Sequence, residues 1–159
     1  MDEHAALVAI ADRLAAAGDD AAVLPTAGFD DQLVISTDML HASADFPTGT
    51  TPYTRGWRAV GASLSDIAAM GARPVAAVAV IAETALVGEV IDAVIDGAEA
   101  VCESVGAAYV GGDLDVGPEP TIVSTAVGTA DEPVRSDGAA PGESDYVPGA
   151  IGRHRAAVA

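Results

Sequence analysis

Apolar positions along the chain change period several times, and each period predicts an element. In residues 3–17 Leu7, Ile10, Ala11 and Leu14 recur three and four apart. Asp2 and Glu3 suit the positive end of a helix dipole and Gly18 a C-terminal stop, so a helix is predicted there. "GDDAAVL" leads to a short strand, and "QLVIST" predicts a second strand ending at Thr37-Asp38. The Ser, Thr, Gly and Pro content of "HASADFPTGTT" predicts a loop. Thr51-Pro52 supplies an N-cap and a proline at the first helical position, and Trp57, Val60, Leu64, Ile67 and Ala68 keep helical spacing as far as Gly71, predicting a helix over 53–70. The unbroken apolar run "VAAVAVIA" from Val75 predicts a strand covered on both faces or buried at the sheet centre. A stripe from Val87 through Val94, Ala98 and Cys102 to Val105, with Asp92, Asp96, Glu99 and Glu103 opposite and Gly106 as stop, predicts the clearest helix. "AAYV" and "TIVSTAVGTA" predict two last strands, each ending at a glycine-rich or acidic loop.

That order of elements predicts an α+β fold: a mixed sheet of four to five strands with helices on one face. From Pro133 the chain turns rich in Gly, Pro and charge. Residues 1–132 are therefore expected to form one domain, and residues 133–159 a linker with the truncated start of another.

Composition narrows the function. The chain of 159 residues carries 24 Asp and Glu against 7 cations, a formal net charge of −17. All seven cations are arginine, so chemistry that needs a lysine is absent. The arginines are scattered through an acidic field, which excludes a nucleic-acid partner. With 50% hydrophobic residues the chain is expected to fold, around a core of small Ala and Val side chains. An acid-rich, lysine-free surface suits concentrated salt, where the screening length falls to about 3 Å at 1 M. The thermal unfolding midpoint is accordingly expected to rise from dilute buffer to molar KCl; a maximum in dilute buffer would contradict this. Cys102 is the only cysteine, which leaves no internal disulfide or cysteine metal site. The acidic N-terminus lacks a signal peptide's charge, and the longest apolar run, Val75 to Ala82, is far short of the about 20 residues that span a bilayer. A cytoplasmic location without membrane contact is expected.

Four acidic spots stand out in small-residue or strand-end contexts: Asp19-Asp20, Asp38, Asp66, and Asp113 with Asp115. Most acids in so acidic a chain simply solvate its surface. Asp66, however, sits among small apolar helix positions where an unpaired carboxylate is costly. Asp113 follows two glycines, whose bare backbone admits a phosphate or a metal-bound oxygen. Carboxylates without cysteine or a histidine pair favour Mg²⁺ over Zn²⁺, and such sites usually take Mg²⁺ with phosphates. Residue types alone leave both readings open: solvated surface, or a Mg²⁺–phosphate site.

Five blocks, "GDDAAVL", "ISTDML", "GWRAVGASLSDIAAMGARP", "YVGGD" and "VRSDGAAPG", occur in the order and approximate spacing found in thiamine-monophosphate kinase. The chain thus resembles that family, part of the aminoimidazole ribonucleotide synthetase-like superfamily, over about residues 3 to 142. The resemblance implies that superfamily's N-terminal domain fold. It also implies direct in-line transfer of the ATP γ-phosphoryl group onto thiamine monophosphate, giving thiamine diphosphate. By matching position, Asp20, Ser36, Thr37 and Asp38 would bind Mg²⁺, and Asp66 would bridge several metals, so that Asp38 and Asp66 carry the catalytic role. Gly112 and Asp113 would contact ATP, with Asp113 also on metal, and Arg135 would contact ATP. Asp45 stands where relatives carry a substrate-contacting histidine, and Leu114 where a threonine is usual. The segment after Gly142 ordinarily forms a strand, but here it holds Asp145 at an apolar position and Pro148. The family's chain is roughly twice as long, and its second domain completes the active site. Its first domain pairs its sheet with that of another subunit, so a homodimer is expected. A noncatalytic Mg²⁺–nucleotide-binding and dimerisation module is the alternative, as is another ATP-dependent enzyme of the superfamily.

Overall fold

The computed structural model describes residues 21–24 and 31–135. The helix expected over 3–17, Asp19, Asp20 and everything after Arg135 lie outside the described residues. The elements are β1 (Ala22–Leu24), β2 (Gln32–His41), α1 (Ala42–Asp45), α2 (Pro52–Ala69), β3 (Arg73–Glu83), α3 (Gly88–Ser104), β4 (Ala108–Val116) and β5 (Thr121–Ala130). They build one five-stranded mixed sheet in the order β1-β2-β5-β3-β4. Only β3 and β4 pair in parallel, joined through α3, and the other pairs are antiparallel. The expected α+β class is observed, with both long helices against one face.

The helix ends follow from local chemistry. Thr51 Oγ1 accepts the Thr54 N–H at 3.2 Å, and Pro52 opens α2. Gly71 (φ +64°) and Gly106 (φ +74°) take the left-handed turn after α2 and α3. Between helices and sheet lies a core of small side chains. Val34, Ala59, Val60, Ile67 and Ala126 are fully buried, with Ala77, Ala79, Ile81, Val94, Ala98 and Ile122 nearly so. Small residues let backbones approach closely. A Cβ on Gly97 would overlap the Tyr53 carbonyl oxygen, and one on Gly56 the Val94 carbonyl oxygen. Gly97→Ala should therefore force α2 and α3 apart. A stability loss of about 1–3 kcal/mol in urea unfolding is expected; an unchanged midpoint would show that the helices do not meet there.

Four expectations need correction. β2 does not end at Thr37-Asp38 but runs to His41, because its pairing with β5 continues to His41↔Thr121. The "GGD" after "AAYV" is not a loop: β4 continues through it beside β3 to Val116. The "VAAVAVIA" strand is covered on one face only. Ala77, Ala79 and Ile81 face the helices, whereas Val78 and Val80 are 39% and 42% exposed on the other side. A short helix, Ala42–Asp45, also interrupts the loop predicted after β2.

Candidate functional site

Alternation along β2 places Ser36 and Asp38 on the helix-covered face, since their β5 partners are the buried Ala126 and Ser124. Asp66 reaches the same face from the last turns of α2. Its Oδ2 accepts the Ser36 hydroxyl at 2.5 Å, across 30 residues of sequence. Ser36 is buried, Asp66 half-buried and Asp38 exposed. Asp38 also accepts its neighbour Met39's N–H at 2.7 Å, which fixes its carboxylate against the strand. Three of the expected residues are thus brought to one face.

Other expected residues stand elsewhere. Thr37 points to the opposite, open face, where its hydroxyl meets Thr125 Oγ1 at 3.0 Å and donates to the Ser124 carbonyl at 2.9 Å. Asp113 is on that open face too, for a definite reason. Between the pairs Ala77↔Tyr109 and Ala79↔Gly112, β4 holds one residue more than β3. This bulge at Gly111 and Gly112 reverses the alternation, and Asp113 falls opposite the exposed Val80. Only glycine fits at 112, because a Cβ there would overlap the Ala79 carbonyl oxygen. Arg135 is exposed at the end of the described chain, just after Val134, whose N–H donates to the Met70 carbonyl at 2.9 Å.

Asp45 closes the turn after β2: its Oδ2 accepts the His41 N–H at 2.7 Å. Glu119 accepts the Ser43 N–H at 3.0 Å, and hydrogen bonds from Ser43, aided by nearby His41, hold its carboxyl below the ordinary value. His41 itself meets Thr121 Oγ1 at 3.0 Å through Nδ1. Phe46 is buried under the Arg58 guanidinium, 5.4 Å above the ring. The loop so tied down walls a recess of about 330 Å³ lined by Ser43, Phe46, Thr48, Thr50 and Arg55. Arg55 was not foreseen as an interior group. Its Nη1 lies 2.9 Å from Glu83 Oε1, and both side chains are nearly buried.

Oxygen donors alone, two carboxylates and a hydroxyl on one face, fit Mg²⁺. Among the described residues no three His, Cys, Asp or Glu side chains converge into a complete metal cage.

Residues 18–130 match the family model described as AIR synthase related protein, N-terminal domain. The chain belongs to that family. Within the AIR synthase related proteins, it is 48% identical to the thiamine-monophosphate kinase of Halobacterium salinarum over all 159 residues, covering 53% of that relative. It is 49% identical to the thiamine-monophosphate kinase of Methanospirillum hungatei over 123 residues, 76% of this chain and 42% of the relative. The chain spans about half the length of these curated relatives. A solved structure, AaThiL complexed with AMPPCP and TMP, superposes with a TM-score of 0.79 at 25% identity, over 87% of this chain and 45% of that one. The fold and the superfamily expected from the five sequence blocks are those observed.

Proposed function

We propose that this chain is the N-terminal half of a thiamine-monophosphate kinase. A phosphate oxygen of thiamine monophosphate attacks the γ-phosphorus of ATP, the bond to the β-phosphate oxygen breaks, and thiamine diphosphate and ADP result. The observation that carries the reading is the convergence of Ser36, Asp38 and Asp66 on one face, in a chain 48% identical to a protein of that name. Both reactants are anions, so positioning and charge neutralisation dominate the chemistry. Mg²⁺, when bound, would supply the positive charge that screens phosphate from phosphate. Asp66, Asp38 and Ser36 would hold it with Asp20, whereas the metal roles that the resemblance gives Thr37 and Asp113 would fall to a separate ion on the open face, where both stand. Gly112 and Arg135 would meet ATP, and Asp45 the substrate beside the Phe46 recess. Residues 133–159 would open the second domain.

The open sheet face supports a homodimer. Met39, Val78 and Val80 are 54%, 39% and 42% exposed there, an apolar strip that a second copy would cover. Such a dimer would also put Asp113 at the interface. No helix among the described residues is long and apolar enough to cross a membrane.

The second reading, a noncatalytic Mg²⁺–nucleotide module, is favoured by Asp113 standing apart from Asp66. ADP release in Mg²⁺ and molar KCl separates them. Release that requires thiamine monophosphate supports the kinase. Metal-dependent nucleotide binding without release leaves the module, and release with a different acceptor points to another enzyme of the superfamily.

A further inference from the structure

Between α2 and the sheet the contacts are mostly small and apolar, and besides Ser36–Asp66 and Arg55–Glu83 a third polar contact lies wholly in the core. Ser63 on α2 and Ser124 on β5 are both completely buried, their hydroxyl oxygens 2.9 Å apart. Ser124 donates to the Ala59 carbonyl at 2.7 Å, and Ser63 lies 3.2 Å from the Val60 carbonyl. With the Ser124 proton on Ala59, Ser124 Oγ is left to accept from Ser63. The two hydroxyls thereby close a loop of hydrogen bonds over one turn of the helix.

Apolar contact is not directional, and a helix lying on alanine and valine can shift along or roll at little cost. Hydrogen bonds specify distance and angle. The position of this one is informative. Ser63 is one turn before Asp66 on the same helix, and Ser124 is the β5 partner of Asp38. We infer that Ser63 and Ser124 are positioning residues, which pin the register of α2 on the sheet so that Asp66 stands against Ser36 beside Asp38. The inference rests on the proposed reading of that face as a Mg²⁺–nucleotide site.

The test uses the full chain in molar KCl, with Mn²⁺ binding followed by electron paramagnetic resonance in the presence of AMPPCP. Ser124→Ala should weaken Mn²⁺ binding about tenfold, the low end for groups that orient metal ligands. Ile122→Val, two residues away on the same face of β5, lowers stability without touching the pair and should leave binding within about twofold. Wild-type affinity in Ser124→Ala, or an equal loss in Ile122→Val, would overturn the inference. A second measurement needs no ligand. The Ser36→Ala and Asp66→Ala variants should be non-additive in unfolding midpoint in the wild-type background and additive in the Ser124→Ala background. Persisting non-additivity refutes the pin, whereas failure of the wild type to bind Mn²⁺–AMPPCP refutes only the reading of the site.

Discussion

Arg55→Leu should destabilise the fold by about 3–5 kcal/mol, the usual effect of removing one partner from a buried ion pair. Arg55 stands in the first turn of α2 and Glu83 ends β3, so the pair ties the start of the helix to the sheet. Their side chains are 11% and 6% exposed. The 2.9 Å approach lies off the hydrogen-bonding direction, so Glu83 Oε1 has a guanidinium beside it but no hydrogen bond. In the leucine variant the buried carboxyl must stay charged without a counter-charge or take up a proton, and either is costly. Urea midpoints at constant KCl measure the loss. Adding Glu83→Leu should recover most of it, because two apolar side chains can replace a buried pair at little net change. A loss below about 1 kcal/mol in the single variant would mean that water reaches the carboxylate.

The second large effect concerns binding. Asp66→Asn should weaken Mg²⁺-dependent AMPPCP binding by at least about tenfold, or 1.4 kcal/mol. The amide oxygen of asparagine still accepts the Ser36 hydroxyl, so the 2.5 Å contact and the fold should survive while the charge on the metal ligand is lost. Calorimetric titration read beside the thermal midpoint separates the two. Unchanged affinity would remove Asp66 from the site, and a collapsed midpoint would show a structural role instead.

Both long helices were legible in the sequence, because Pro52, Gly71 and Gly106 punctuate unbroken apolar stripes. The ends of β2 and β4 were not. What carries these strands through Asp38 and through Gly111–Asp113 is pairing with β5 and β3, and long-range pairing leaves no local mark. The β3 run read as buried on both faces because Val78 and Val80 are apolar as well, although they look outward. For the candidate site, family resemblance supplied Ser36, Asp38 and Asp66, which the structure puts on one face of the sheet with Ser36 bonded to Asp66. It could not show that a bulge turns Asp113 to the other face, since the two glycines alone do not state a register. The Arg55–Glu83 pair went unseen for a similar reason, as its partners lie on separate elements. Ser63 did carry a readable signal: it occupies the buried stripe of α2 beside Val60, Leu64 and Ile67, where a polar residue asks for a partner.

The central claim is that Ser36, Asp38 and Asp66 form part of a Mg²⁺ site for a nucleotide triphosphate. AMPPCP titrated calorimetrically into the full chain in molar KCl, with Mg²⁺ and then with excess chelator, tests it most directly. Binding present with Mg²⁺ and abolished by the chelator is the expected result; binding of equal strength in both conditions, or in neither, would contradict the claim.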